Sequence, residues 1–138
     1  MLIDTIKQDM IVAWKAKDIL KKETLSFLIS KVKNRGIELQ TENVPDAEVL
    51  AIIQKMVKEL NDEADSFCKA DRHDKAADIM QQIAYIYNYL PKQLTEDEIR
   101  AEIAKLEDKS IPNVMKYFKI NYAGQVDMSK VSAIARGQ

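Results

Sequence analysis

Apolar side chains recur every three or four positions along nearly the whole chain, the period of a helix with one buried face. Ile3, Ile6, Met10, Ala13 and Trp14 mark a first helix, with Trp14 expected as a core anchor. Lys17-Asp18 interrupts the pattern. Leu25, Leu28, Ile29 and Val32 resume it, and Gly36 falls where a helix-ending C′ glycine belongs. A polar connection leads to Pro45, which suits the first turn of a third helix, with Asp46 and Glu48 near its positive end. The stripe Val49, Ile53, Met56, Leu60, Ala64 and Phe67 is the longest and most regular. A charged run, residues 68–75, breaks it. Ala76, Met80, Ile83, Tyr87 and Leu90 then predict a fourth helix, stopped by Pro91, because the residue before a proline avoids the α region.

The sharpest local signal lies at residues 94–99. Thr95 and Glu98 have the spacing of a capping box, and Leu94 and Ile99 that of a hydrophobic staple, so a fifth helix starts there. Ser110 and Pro112 open a sixth, with Val114, Met115 and Phe118 inward and Gly124 beyond its end. Asp127 caps a short seventh, residues 127–136. The expected fold is all-α, a four-helix hairpin or bundle domain over residues 1–93 followed by a small three-helix domain over residues 94–138.

Composition narrows the class further. Three glycines and three prolines are too few to turn the many short strands of a β sandwich or barrel. The single cysteine, Cys68, excludes an internal disulfide framework and fits a reducing compartment. No stretch is long and apolar enough to cross a bilayer, and the first residues lack the pattern of a secretory signal. A cytoplasmic protein without membrane contact is the default expectation.

The chemistry available to so few special residues is limited. One cysteine and one histidine cannot build a structural zinc site, and Asp62, Glu63 and Asp65 lack the spacing of a calcium loop. No metal and no cofactor is expected. Cys68 and His73 are five residues apart, but Cys68 ends an apolar stripe and His73 lies in a polar turn, which reads as packing and solvation rather than as a nucleophile and its base. Three isolated glycines form no phosphate-cradling loop.

The net charge is −1, yet it is unevenly spread. Residues 1–36 carry eight basic and four acidic groups, residues 37–93 six and eleven, residues 94–110 three and six, and residues 111–138 four and one. The C-terminal excess is the more suggestive. Lys116 and Lys119 share a helix face, Lys130 and Arg136 follow, and Tyr117 and Tyr122 lie among them. Lysines with interleaved aromatics have the means to meet phosphates and stack on bases, so these six are the candidate nucleic-acid-binding residues.

The boundary segment carries a resemblance. Tyr89-Leu90-Pro91-Lys92-Gln93-Leu94-Thr95, followed by Glu98-Ile99, is similar to the YLPxQLT…EI signature of the YqeY-like family, to which the C-terminal tail of one component of the aspartyl/glutamyl-tRNA amidotransferase also belongs. Asp9, Ala13 and Lys17-Asp18 resemble its first-helix pattern, and Asp46, Glu48, Val49, Lys55 and Lys58 its third-helix segment. Asp71-Arg72 and Asp74 stand where the family has GR.D, and Val114-Met115, Gly124 and Asp127 where it has GxVM…G..D. Two family glycines are replaced, one by Asp71 and one in the segment Pro112-Asn113.

The resemblance implies an all-α protein in which Tyr89, Leu90, Pro91, Gln93, Leu94, Thr95 and Glu98 are structural. It also implies tRNA as a partner, while the acidic middle helices and modest net charge favour a protein partner such as an amidotransferase or a synthetase. The family is often labelled a glutamine-dependent carbon–nitrogen ligase, but the residues here offer no catalytic set of their own. Two readings stand: a non-catalytic tRNA- or RNA-binding accessory module, and a helical protein–protein interaction module without RNA contact.

Overall fold

The structure, a computed structural model, describes residues 1–137. Among them are seven helices and no strand: α1 (Leu2–Lys15), α2 (Ile19–Leu39), α3 (Asp46–Lys69), α4 (His73–Tyr87), α5 (Glu96–Ala104), α6 (Ile111–Asn121) and α7 (Met128–Arg136). The chain separates into two compact units, Met1–Tyr89 and Leu90–Gln138.

In the first unit α1 pairs with α2 and α3 with α4, and α2 also packs on α3 and α4. Ile6, Leu25, Leu28, Val49, Ile53 and Ile86 are fully buried in its interior. Two acidic residues at the start of α3 tie the helices together. Asp46 Oδ1 accepts from the Leu2 backbone N–H at 2.8 Å, and Glu48 pairs with Arg35 of α2 at 3.1 Å. The α1–α2 turn uses the Lys17-Asp18 dipeptide in two ways. Lys17 takes a left-handed conformation, φ 61°, and the Asp18 side chain caps α2 by accepting from the Lys21 N–H.

Four expectations change in this unit. Gly36 does not end α2. The helix runs on to Leu39, and Gln40 supplies the left-handed cap at φ 56°. Gly36 is buried instead, because the following loop folds back on it: a Cβ there would lie 2.8 Å from the Thr41 carbonyl oxygen and 3.2 Å from Val44. Trp14 is no core anchor. It stands on the stripe of Ile3, Ile6 and Met10 but at the helix end, and it is 64% exposed. On α4 the buried stripe is Ala76, Ile79, Ile83 and Ile86, so Met80 and Tyr87 turn outward. Both stripes are apolar at helical spacing, and packing against α3 and α2 decides between them. Cys68, expected to pack as a small hydrophobe, is exposed.

The second unit is built around Phe118, Ile99, Ile103, Val114 and Val131, all at most 1% exposed. Its helices are short and depend on their ends. Thr95 Oγ1 accepts from the Glu98 N–H while Glu98 Oε1 accepts from the Thr95 N–H, completing the capping box of α5. Asp127 caps α7 through the Ser129 N–H at 2.9 Å. The division at 89/90 precedes the expected boundary at 93/94, and hydrogen bonds explain it. The Gln93 side-chain amide donates to the Gly124 carbonyl at 2.6 Å, and the Leu94 N–H to the Gln125 carbonyl at 2.8 Å. Residues 90–94 therefore belong with the α6–α7 turn, where Gly124 takes the left-handed φ of 78° that a glycine adopts without strain.

Candidate functional site

Helix α6 has a clear inner and outer side. Val114 and Phe118 are fully buried, and Lys116, Lys119 and the 68% exposed Ile120 lie opposite them. The two lysines, three residues apart, share the outer face. Lys119 also sits in the last turn, where the helix dipole favours a cation. No ion pair engages Lys116, Lys119, Lys130 or Arg136 among the described residues.

On α7, Val131, Ile134 and Ala135 face inward and Lys130 and Arg136 are exposed. Six residues of helix turn them about 120° apart, so Lys130 and Arg136 do not share one face. The basic residues thus form one close pair on α6 and two separate charges on α7.

The two tyrosines are held rather than presented. Tyr117 and Tyr122 are half-buried, and with Phe118 they form a ring cluster with centroids 5.5 to 6.1 Å apart. The Tyr117 hydroxyl donates to Glu102 Oε2 at 2.9 Å, and the Lys105 ammonium reaches Glu102 Oε1 at 3.1 Å. Glu102, whose side chain is only 16% exposed, is held below the usual carboxylate range by Lys105 first and then by Tyr117. In return it raises the pKa values of both tyrosines. Sequence reasoning missed Glu102. Its only signal is the position on α5, one residue before the buried Ile103, where a charge needs a partner.

Several of the signature residues make hydrogen bonds within the chain. The Tyr89 hydroxyl donates to Asp9 of α1, and burial together with that carboxylate raises its pKa well above the ordinary tyrosine value. Two separate motif pieces, 80 residues apart, are thereby joined. Gln93 and Leu94 close the second unit, and Thr95 and Glu98 cap it. Asp71, in place of a family glycine, has φ 61°, a left-handed conformation that aspartate tolerates better than most side chains. Asp71 also holds His73 Nε2 at 2.9 Å. Among the described residues, no group of three His, Cys, Asp or Glu side chains is placed to bind a metal.

Known proteins are similar to this sequence. The sequence matches the profile of the family described as "Yqey-like protein" over residues 3–138. It is 33% identical over 119 residues to "Altered inheritance of mitochondria protein 41, mitochondrial" of Candida glabrata, covering 82% of this chain and 65% of the relative. It is 29% identical over 106 residues to the protein of the same name from Lachancea thermotolerans, covering 75% of this chain and 57% of the relative. The chain spans about half to two-thirds of the length of these curated relatives.

Their names correct one expectation. The relatives are mitochondrial proteins by name, which overturns the cytoplasmic assignment. A lone cysteine signals reducing surroundings, and the cytoplasm is not the only reducing compartment. By its match across nearly all of its length, the chain belongs to the YqeY-like family.

Proposed function

We propose that the chain is a non-catalytic, RNA-binding accessory module directed at tRNA, whose two units act as separate domains and whose second unit supplies the contacts. The observation that carries this reading is the outer face of α6, where Lys116 and Lys119 stand together with no ion pair among the described residues. The likeness of residues 89–99 to the tail of an amidotransferase component that handles tRNA supports the choice of RNA. Lys130 and Arg136 add long-range attraction rather than a shared contact face. Tyr117, whose hydroxyl is held by Glu102, and Tyr122 are half-buried and packed with Phe118, which limits their use as stacking surfaces. An amidotransferase or a synthetase is the natural protein neighbour of such a module.

The test is tRNA binding measured across salt concentration. Each phosphate contact contributes a slope of about −0.9 in log K against log salt on duplex nucleic acid. Lys116→Glu with Lys119→Glu is expected to abolish most binding at low salt and to flatten the slope by about two such contacts. No binding at low salt, or an unchanged slope in the double variant, overturns the reading. Glutaminase activity in the purified chain, lost in Cys68→Ser, would make the module an enzyme instead.

A further inference from the structure

The α1–α2 hairpin of the first unit carries an open apolar groove of about 430 Å³. Ile3, Val32, Gly36 and Val44 form its floor, and Ile37, 76% exposed, stands on its rim. Gly36 helps to shape it, since the missing Cβ lets the loop at Thr41 and Val44 close one end. Lys7 rises on the α1 bank and Lys33 on the α2 bank. Both are exposed, and neither has an ion-pair partner among the described residues.

The same side of the hairpin continues away from the loop. Ile3, Lys7, Ile11 and Trp14 are spaced i, i+4, i+8 and i+11, a single helix face, and Trp14 is 64% exposed. Across the turn Ile19 is 68% exposed. The strip from Ile3 to Trp14 runs about 17 Å, three turns of a helix laid along it.

We propose that this groove docks an amphipathic helix of a protein partner whose apolar stripe is flanked on both sides by acidic residues. The floor takes the apolar stripe, and Lys7 and Lys33 meet the two acidic flanks. Glu42, at the closed end, sets the register by repelling an acid placed there. A concave strip with a cation on each bank favours a helix over a lipid surface. Ile3, Val32 and Ile37 would gain nothing from RNA phosphates. The groove and the basic face of α6 lie in different units, so the two proposals fail separately.

The experiment uses the full chain and a synthetic peptide of about 15 residues, four turns, with leucines at helical spacing and glutamates on both flanks. Trp14 is the only tryptophan, so its emission reports occupancy directly. The peptide is expected to bind saturably with a blue shift of Trp14. Lys7→Glu with Lys33→Glu should weaken it about tenfold or more, and Glu42→Lys should tighten it severalfold. All three side chains are exposed, so helicity by circular dichroism should not change. A lysine-flanked peptide should not bind.

Absence of saturable binding, or binding indifferent to Lys7 and Lys33, overturns the proposal. So does a Trp14 shift produced only by vesicles of phosphatidylcholine and phosphatidylglycerol, which would make the occupant a lipid surface. Loss of tRNA affinity in the Lys7/Lys33 variant would make it RNA. A Trp14 shift that follows protein concentration alone would make it a second copy.

Discussion

Among the described residues, ten of the eleven exposed large hydrophobic side chains lie in residues 1–89, and only Ile120 lies beyond them. The smaller unit buries or half-buries its other large apolar side chains, while the larger leaves many of its own exposed. Size explains the first half of this contrast. A unit of some fifty residues is near the limit for independent stability and needs almost every apolar group for its own core. Its helices, of 9, 11 and 9 residues, are too short to persist alone, so Thr95, Glu98 and Asp127 hold their ends. The larger unit has helices of 14 to 24 residues, with a side-chain cap only at Asp18. Its core is served without Ile11, Trp14, Ile19 or Ile37. The smaller unit therefore presents charge to its surroundings, and the larger presents apolar surface.

Substitutions that strike one unit and spare the other sharpen the contrast. Phe118→Ala removes the largest fully buried side chain and should cost about 3–5 kcal/mol. That exceeds what so small a unit can lose. Backbone amide spectra should show residues 90–138 collapsing to random-coil positions, with Trp14 emission unchanged. A shift of both together would break the division.

Gly36→Ala acts on the other unit. Its new methyl meets the Thr41 carbonyl at 2.8 Å, backbone that does not yield easily. A loss of about 1–3 kcal/mol is expected in chemical unfolding followed by Trp14 fluorescence. The signature itself divides between the units. Tyr89→Phe, which strands Asp9, should cost the first unit about 1 kcal/mol, and Thr95→Ala should cost the second a similar amount through its cap. Unit-resolved amide exchange separates the two effects.

The smallest effect is that of pH on Glu102. Lys105 and Tyr117 hold its folded pKa below the unfolded carboxylate value of about 4.3. Its contribution is therefore complete above that value and is lost as pH falls through the lower, folded one. Glu102→Gln should flatten the acid side of the second unit's stability profile and leave the first unit's unchanged.

Seven helices were legible because each apolar stripe repeats at helical spacing and because Pro45, Thr95 and Asp127 announce starts. The sides they bury were less so. On α4 the stripe through Met80 and Tyr87 is as regular as the one through Ile79 and Ile86, and only packing against α3 and α2 selects the second. Gly36 looked like a helix end because glycine so often is one. Its use, as a seat for the returning loop at Thr41, is tertiary and leaves no local pattern. The lysines of the candidate interface were visible as a charge excess. The holding of Tyr117 by Glu102 was not, because it joins two helices 15 residues apart through a pair of side chains ordinary in themselves. The groove was invisible for the same reason, since Lys7 and Lys33 become neighbours only when the hairpin closes.

The hydrogen bond from Tyr89 to Asp9 has a consequence for how the chain is made. It joins the first helix to the last residue of its unit, across 80 positions. A ribosome adding about 5–20 residues per second leaves α1 without that partner for roughly 4–16 s. During that interval Trp14 and the floor between α1 and α2 belong to an unfinished unit, open to any helper that recognises apolar helix faces. The contact can form only after Tyr89, at the very start of the signature segment, has been made and has cleared the ribosome.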